Sequence, residues 1–227
     1  MERIGYQAFV FDMDGTIVSS IEDIGDAVNH SLLQHGLPTH PMADFPAFLG
    51  NGSVKLIQRA LGKDNQDRFQ EVFDTYYGYY HEHYCEKTHP YEGIVESLKH
   101  AKEKGILLFV YTNKPDAIAK EVSDHCFGKD FFDAIVGIPL GGSVKPDPTA
   151  FQKKVIEPFR LDVARCAYFG DSITDILTAR NLGIHDMYAV SWGYVERERL
   201  LHHDPAPFRM LEDPHEIGKI ADRTWNR

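Results

Sequence analysis

Long apolar runs and an excess of positive charge are both missing from this sequence of 227 residues. No run approaches the roughly 18 apolar residues that a membrane-spanning helix requires, so we expect no membrane segment. The formal net charge is −10, which argues against broad binding to nucleic acid or to an anionic membrane surface. An anionic substrate would therefore have to be captured by a local group of positive side chains.

Cysteine is also scarce. The three residues, Cys85, Cys126 and Cys166, show neither a CxxC motif nor another metal-binding spacing. An odd and scattered set of this kind is typical of a reducing compartment. The first apolar segment begins at Tyr6, which leaves no room for a signal peptide before it. We therefore expect a cytoplasmic protein, and we leave its oligomeric state open between a monomer and a homodimer.

The most informative segment is an apolar run that ends in two acids. Residues 6–11 are followed by Asp12 and Asp14 and then by Gly15-Thr16. The run predicts a parallel strand covered on both faces, and ligands bind beyond the carboxyl ends of such strands. Two carboxylates so close together repel each other unless they share a cation or a proton. Taken alone, these residues also fit an acidic turn after a strand.

Two kinds of hydrophobic periodicity divide the chain. Residues 17–86 show helical spacing, with Ser20 as a candidate N-cap and Asp23 at the capping-box position of the first helix. From residue 87 onward, strands and helices alternate, which is typical of a parallel sheet with right-handed crossovers. The sequence therefore predicts a doubly wound, Rossmann-like α/β core of residues 1–16 and 87–227, into which an all-helical cap domain of residues 17–86 is inserted.

Polar residues follow the later strands of this core as well. They are Thr112, Asn113 and Lys114 after the second strand, Lys145 before a helix, and Asp171 and Asp175 after the fourth strand. Doubly wound topology brings these positions to the same edge of the sheet as the two acids of the first strand. Carboxylates with open positions suit Mg²⁺, and a cation combined with a lysine and backbone N–H groups suits a phosphoryl group.

Each of these residues also has an ordinary structural interpretation. Asp171 lies just before a predicted helix and fits an N-cap. Lys145 precedes a proline and fits a solvated loop charge, while Thr112-Asn113 fits a turn at the end of a strand. All of these interpretations would have to hold at once, and we therefore favour a shared site.

These motifs, taken in order, resemble the haloacid dehalogenase superfamily of phosphohydrolases, in its phosphoglycolate phosphatase-like branch. The Asp-x-Asp-Gly-Thr motif matches residues 12–16, the Thr/Ser motif matches Thr112, the lysine motif matches Lys145, and the acidic motif matches Asp171 with Asp175. The resemblance covers nearly the whole chain, and the helical segment resembles the cap domain of that branch. The expected fold and activity follow from this resemblance.

The resemblance implies separate roles for the acids. Asp12 would be the nucleophile that forms an aspartyl-phosphate, and Asp14 would be the general acid and base. Mg²⁺ would be bound by the Asp12 carboxylate, the backbone carbonyl of Asp14, and Asp171. Asp175 would hold a metal-bound water or orient Lys145.

The resemblance also implies a phosphate-binding set, formed by Thr112, the backbone N–H of Asn113, and Lys145. The expected function is Mg²⁺-dependent hydrolysis of a small phosphorylated metabolite such as 2-phosphoglycolate. A phosphosugar mutase of the same fold and a non-catalytic phosphometabolite-binding protein are the alternatives. In the cap, Lys55 and Arg59 fit either contacts to an anionic leaving group or a solvated face.

Overall fold

The structure is a computed structural model that describes residues 3–139 and 142–226. Its strands are β1 (Arg3–Gly5), β2 (Ala8–Phe11), β3 (Val18–Ser19), β4 (His89–Pro90), β5 (Leu107–Pro115), β6 (Ala134–Ile138), β7 (Cys166–Gly170), β8 (Asp186–Val190), β9 (Arg209–Leu211) and β10 (Thr224–Asn226). Six of them form one parallel sheet in the order β6-β5-β2-β7-β8-β9. The remaining four form two short antiparallel pairs, β1 with β10 and β3 with β4.

The order of the main sheet confirms the doubly wound prediction. From the central strand β2 the chain passes outward to β5 and β6, and it then returns to β7 on the other side of β2. The sheet has one strand, β9, more than the sequence pattern predicts. Such a reversal places a crevice at the carboxyl ends of the two strands on either side of it. Here these are β2 and β7, the strands that precede Asp12 and Asp171.

Helices cover both faces of the sheet. They are α1 (Ile21–Gln34), α2 (Phe45–Phe48), α3 (Gly52–Leu61), α4 (Phe69–His83), α5 (Ile94–Glu103), α6 (Asp116–Phe127), α7 (Thr149–Phe151), α8 (Glu157–Phe159), α9 (Ile173–Leu182), α10 (Arg197–Leu201) and α11 (His215–Ala221), with a π-helical turn Gln152–Ile156 joining α7 to α8. Short 3₁₀ turns span Met42–Asp44, Gln66–Arg68 and Val163–Arg165. Within the described residues, none of these helices is long and apolar enough to cross a membrane.

The central strand shows why the sheet is buried on both sides. Phe9 and Phe11 point into one apolar cluster with helices α5, α6 and α11, whereas Ala8 and Val10 point into the other, with α9. All four side chains are fully buried. This uninterrupted apolar run is the pattern that a parallel strand needs when helices pack on both faces.

Helices α1 to α4 form an insert between β3 and β4, and we call residues 20–88 the helical insert. Its two ends meet in the antiparallel pairs Val18 with Pro90 and Ser19 with His89. Apolar residues of α1 and α4 pack in the same cluster as one face of the sheet. The division into a core and a cap domain at residues 17 and 86 stays a prediction, although both positions lie close to this ribbon.

The predicted capping box at the start of α1 is wrong. Ser20 is the N-cap residue, but its side chain makes no capping hydrogen bond. The Asp23 carboxylate instead accepts hydrogen bonds from the backbone N–H of Lys87 at 3.0 Å and of Thr88 at 2.8 Å, and from the Thr88 hydroxyl at 2.7 Å. The Asp23 carboxylate therefore bonds to residues at the end of the insert and not to the backbone at the start of its own helix. Asp23 thereby fastens the end of the insert to its beginning.

Candidate active site

The residues after β2 and β7, together with Lys145, converge at the carboxyl edge of the sheet. We call Asp12, Lys145, Asp171 and Asp175 the sheet-edge cluster. Lys145 lies at its centre, with Nζ 2.9 Å from Asp12 Oδ1 and 2.7 Å from Asp175 Oδ1. The Lys145 side chain is only 1% exposed, so the interpretation as a solvated loop charge is wrong.

The charges of this cluster depend on one another. Burial disfavours the charged form of Lys145, but the neighbouring Asp12 and Asp175 carboxylates outweigh it and raise the pKa of this lysine. Burial raises the pKa of Asp12 to about 7, with a further upward contribution from Asp175 and an opposing one from Lys145. Lys145 therefore holds the carboxylate oxygen of Asp12 in place and offsets part of the local negative charge.

Asp171 has a carboxylate oxygen within 4.8 Å of one from Asp12, and both of its oxygens accept hydrogen bonds. Its Oδ1 accepts a hydrogen bond from the Thr16 hydroxyl at 3.2 Å, and its Oδ2 accepts one from the Tyr194 backbone N–H at 2.8 Å. Burial and then the charges of Asp175 and Asp12 raise the pKa of Asp171 well above its usual range. The N-cap of α9 is Ser172, so the interpretation of Asp171 as a helix cap is wrong.

The three acids of the cluster fit a divalent cation. Asp12, Asp171 and Asp175 each offer a carboxylate oxygen, and these oxygens all lie within 4.8 Å of one another. Lys145 balances one of the three negative charges, which is consistent with the raised pKa values of Asp12 and Asp171. A hard cation with oxygen ligands, such as Mg²⁺, would supply the missing positive charge.

Asp175 is fully buried, and its carboxylate is already engaged on both oxygens. Oδ1 accepts hydrogen bonds from Lys145 Nζ at 2.7 Å and from the Tyr168 hydroxyl at 3.1 Å. Oδ2 accepts hydrogen bonds from the Ser172 hydroxyl at 2.6 Å and from the Ser172 N–H at 3.1 Å, which completes a capping box at the start of α9. Asp175 thus joins the helix start to Lys145.

Two glycines close the space around Asp171: Gly15, which belongs to the motif at residues 12–16, and Gly193, which sequence reasoning missed. A Cβ atom added at Gly193 would lie 2.1 Å from the Asp171 Cβ, and one added at Gly15 would lie 2.4 Å from its Oδ2. Gly193 follows β8, and the adjacent Tyr194 N–H donates to Asp171. Because this loop has no recognisable motif of its own, only the folded structure identifies it as part of the site.

Two of the three predicted phosphate-binding residues, Thr112 and Asn113, lie within β5, which continues to Pro115. The interpretation of Thr112-Asn113 as a turn is therefore wrong. Thr112 is buried, and its hydroxyl accepts a hydrogen bond from the Lys114 N–H at 3.2 Å. Asn113 Oδ1 accepts from the Lys145 N–H at 2.7 Å, and its Nδ2 donates to the Gly50 carbonyl of the helical insert at 3.1 Å. Asn113 thus links the lysine segment to the insert.

Asp14 lies in a second group, which joins the core to the insert. We call Asp14, Ser20, Tyr80 and Lys114 the interface cluster. Asp14 Oδ1 accepts hydrogen bonds from the Ser20 hydroxyl at 2.6 Å and from Lys114 Nζ at 2.8 Å. Lys114 Nζ also donates to the Tyr80 hydroxyl at 2.6 Å. Lys114 has no role in the predicted site, although its place beside Thr112 and Asn113 was a usable signal.

A cavity of about 330 Å³ lies between the sheet edge and the helical insert. Its core side includes Asp12, Asp14, Thr112, Asn113, Lys114 and Asp171, and its insert side includes residues 49–53, Arg59, Tyr76 and Tyr80. This volume suits a small molecule. The geometry gives the cavity the Asp12 carboxylate, which contacts the buried Lys145, together with the carboxylates of Asp14 and Asp171.

The two cationic candidates of the insert differ in their surroundings. Arg59 lines the cavity and donates to the backbone carbonyls of Phe48 at 2.8 Å and Leu49 at 3.0 Å, and to Asn51 Oδ1 at 2.6 Å. Both residues are exposed, but Lys55 does not line the cavity and donates to Gln58 instead. Arg59 therefore organises the loop that faces the sheet edge, whereas Lys55 lies on a solvated face.

Comparison with known proteins agrees with this arrangement. The family model of the haloacid dehalogenase-like hydrolases matches residues 9–189. A phosphoglycolate phosphatase from Psychrobacter arcticus is 31% identical over 199 residues, covering 83% of this chain and 84% of that protein. One from Mesorhizobium japonicum is 33% identical over 195 residues, with the same two shares of 83% and 84%.

The architecture has counterparts among solved structures. A crystal structure from Lactobacillus delbrueckii subsp. bulgaricus, of a protein provisionally assigned as a phosphoglycolate phosphatase, superposes with a TM-score of 0.87 at 27% identity. The match covers 96% of this chain and 99% of that one. The family model spans the strands that carry the sheet-edge cluster, and the relatives match over most of their length. The chain therefore belongs to the haloacid dehalogenase-like hydrolase family and is a phosphatase.

Proposed function

We propose that this phosphatase hydrolyses a small phosphorylated metabolite in a Mg²⁺-dependent reaction, with 2-phosphoglycolate as the first candidate substrate. The observation that carries the proposal is that the Asp12 carboxylate lines the cavity. Its Oδ1 lies 2.9 Å from the buried Lys145 Nζ. A carboxylate held beside a fixed positive charge is suited to attack a phosphoryl group.

The proposed reaction has two steps with balanced proton transfer. In the first, an Asp12 oxygen forms a bond to phosphorus, the bond from phosphorus to the leaving oxygen breaks, and Asp14 donates a proton to that oxygen. In the second, Asp14 takes a proton from water, the water oxygen bonds to phosphorus, and the aspartyl-phosphate bond breaks. The products are the free alcohol and inorganic phosphate, and Asp12 is restored as a carboxylate.

The metal role is assigned to residues whose chemistry fits it. We propose that the Asp12 and Asp171 carboxylates and the Asp14 backbone carbonyl bind Mg²⁺, which would neutralise charge on the transferring phosphoryl group. Asp175 belongs to the same acidic group, but Lys145, Tyr168 and Ser172 already engage both of its oxygens. We therefore propose that Asp175 acts mainly by orienting Lys145.

The phosphoryl group itself would be bound by Thr112, the Asn113 backbone N–H, and Lys145. This assignment is supported by Thr112 and Asn113, which line the cavity, and by Lys145, which contacts the Asp12 carboxylate of the same cavity. The Lys145 backbone is held by the Asn113 side chain at 2.7 Å. These groups would supply hydrogen-bond donors to a phosphoryl group bound next to Asp12, as phosphoryl transfer requires.

The choice of 2-phosphoglycolate is supported by relatives and by local charge. Two curated relatives at 31% and 33% identity carry the name phosphoglycolate phosphatase. The substrate is small enough for a cavity of about 330 Å³, and both Arg59 and Arg199 line that cavity. Positive side chains at this place would attract an anionic substrate to a protein whose formal net charge is −10.

The helical insert would act as a cap over the reacting group. A cap that closes during the first step keeps water away from the phosphoryl group until the alcohol has left. We also propose that the protein acts in the cytoplasm as a monomer or homodimer, with a phosphometabolite rather than nucleic acid or a membrane as its partner.

The test of this function is metal-dependent phosphate release. The wild-type protein should release phosphate from p-nitrophenyl phosphate with Mg²⁺ and lose this activity in EDTA, with recovery when Mg²⁺ is restored in excess. Asp12→Asn should be inactive while keeping the wild-type melting temperature within a few degrees. Equal activity of wild type and Asp12→Asn would refute the proposed mechanism.

The substrate is tested separately by a panel compared by kcat/KM. The panel contains 2-phosphoglycolate, glucose 1-phosphate, pyrophosphate and nucleoside monophosphates. The proposal expects 2-phosphoglycolate to rank first. A preference for glucose 1-phosphate with formation of an isomeric sugar phosphate would instead support the mutase.

A further inference from the structure

Lys114 is a buried cation outside the proposed reaction. Its side chain is only 2% exposed, and it lies two residues beyond Thr112 in β5. Nζ donates to Asp14 Oδ1 at 2.8 Å and to the Tyr80 hydroxyl at 2.6 Å, and it lies 5.1 Å from the centre of the Tyr80 ring. A buried ammonium is costly unless such partners compensate it, and an apolar side chain often serves stability equally well.

Asp14 and Tyr80, the two partners of Lys114, both line the cavity in which the reaction is proposed. Asp14 faces the same cavity, keeps 20% of its side chain exposed, and is the proposed general acid and base. Tyr80 belongs to helix α4 of the insert and stacks on Tyr76, with ring centres 5.5 Å apart. Lys114 therefore connects the proposed proton donor to the packed interior of the insert.

The hydrogen bonds leave the two oxygens of Asp14 in different situations. The described bonds from Ser20 and Lys114 both end on Oδ1. A carboxylate fixed through one oxygen keeps a defined orientation, and the other oxygen can exchange a proton with the substrate. Proton transfer requires a donor within hydrogen-bond reach of the leaving oxygen, so this orientation affects the rate directly.

We propose that Lys114 is a positioning residue, which holds Asp14 for proton transfer and is itself held by Tyr80 of the helical insert. The inference rests on the proposed function, because it assumes that Asp14 protonates the leaving group. It adds a residue for which the motifs predict no role. Effective proton transfer would then also require helix α4 to be packed against the core, so that Tyr80 contacts Lys114.

The proposal predicts a loss that depends on the leaving group. An alkyl monoester leaves as a strongly basic alkoxide and needs the proton, whereas p-nitrophenolate leaves without one. For Lys114→Met, kcat/KM should fall by roughly 30-fold with the alkyl monoester that ranks first in the panel, since general acid catalysis contributes about 10²–10⁴-fold. With p-nitrophenyl phosphate, the fall should stay below about 3-fold.

Tyr80→Phe is the second variant and retains the aromatic ring. Because only the hydroxyl is lost, kcat/KM for the alkyl monoester should fall by about 3- to 5-fold, as one hydrogen bond would imply. For the alkyl monoester, kcat/KM of the double variant should lie within about 2-fold of that of Lys114→Met, because both changes act through one contact. If Lys114→Met fails to fold, as judged by its melting curve, Tyr80→Phe and Lys114→Arg decide the question by the same ratio of substrates.

Lys120→Met is the matched control, since this lysine lies in the following helix α6 with its side chain 56% exposed and paired with Asp116. Its kcat/KM should stay within about 2-fold of the wild-type value for both substrates, as for ordinary surface changes. The positioning role would be overturned if Lys114→Met lowered kcat/KM equally for both substrates, or if it lowered kcat/KM for neither.

Asp14→Asn separates the failure of this inference from that of the proposed function. Suppose that in Asp14→Asn kcat/KM falls more for the alkyl monoester than for p-nitrophenyl phosphate, and that the Lys114 and Tyr80 variants show no such difference. Only the inference is then overturned. If Asp14→Asn lowers kcat/KM equally for both substrates, the assignment of Asp14 as the general acid is overturned, and the inference is overturned with it.

Discussion

The two halves of the candidate site are built in different ways. In the sheet-edge cluster, Asp12, Lys145, Asp171 and Asp175 all belong to the core, and core elements hold each of them. In the interface cluster, Asp14 and Lys114 belong to the core, whereas Ser20 and Tyr80 belong to the helical insert. The first half is thus complete without the insert, and the second is not.

This difference suggests a division of tasks. The sheet-edge cluster would recognise the phosphoryl group, which every substrate shares. The interface cluster and the insert would act on the leaving group, which differs from one substrate to another. Variants of the first half should therefore affect all substrates alike, and variants of the second half should separate them.

Lys145→Met should have the largest effect of the variants in this comparison. It removes the charge that holds Asp12 and neutralises the phosphoryl group, so kcat/KM should fall by about 10³-fold, near the upper range for a single stabilising donor. The fall should be similar for alkyl and aryl phosphates. Lys153→Met, an exposed lysine of the following helical segment, is the control. A large difference between the substrates would break the proposed division.

Asp14→Asn should come next and should show how the halves work in sequence. Without the general base, hydrolysis of the aspartyl-phosphate slows, and kcat should fall by about 10²-fold or more. Intact-protein mass spectrometry after mixing with p-nitrophenyl phosphate should detect a trapped phosphoryl adduct. The adduct should be missing from the Asp12→Asn, Asp14→Asn double variant. Normal steady-state turnover in Asp14→Asn would remove this residue from its acid and base role.

Gly193→Ala should weaken the metal site by a smaller factor. The added methyl would lie 2.1 Å from the Asp171 Cβ and must displace that carboxylate. The Mg²⁺ concentration for half-maximal activity should rise by about 10-fold, as for other changes that disturb a ligand's support. Saturating Mg²⁺ should restore most of kcat.

The control for that variant is Gly218→Ala, where an added methyl meets its nearest neighbour, Ser97 Oγ, at an ordinary distance of 3.5 Å. Its Mg²⁺ dependence should match that of the wild type. An unchanged Mg²⁺ dependence in Gly193→Ala would argue against Asp171 as a ligand.

Arg59→Met should have the smallest effect. Arg59 organises the loop at Phe48, Leu49 and Asn51 by three hydrogen bonds. Disordering this loop should raise KM for the preferred substrate by about 5-fold, since a hydrogen bond contributes roughly 1 kcal/mol, while kcat changes little. Lys55→Met, on the same helix but bonded to Gln58 and not to this loop, should leave KM unchanged. A fall in kcat with constant KM would place Arg59 in the chemical step instead.

The sequence determined the sheet-edge cluster to a large extent, because Asp12 and Asp171 directly follow strands that are recognisable from local pattern. The buried run of β2 predicts the position of Asp12, and the end of β7 predicts that of Asp171. Parallel topology then brings strand ends together whatever the details of packing. The resemblance of the motifs to a known family assigned their expected roles.

Tertiary structure alone decided the interface cluster and the surroundings of Asp171. Lys114 and Asp14 are 100 residues apart in the chain, and Lys114 and Tyr80 are 34 apart. Ser20 looked like a local helix cap, yet its hydroxyl donates to Asp14. Gly193 carries no motif and matters only because Asp171 approaches it. Local propensity encodes strands and helices, whereas contacts between the insert and the core depend on how two separately patterned segments pack together.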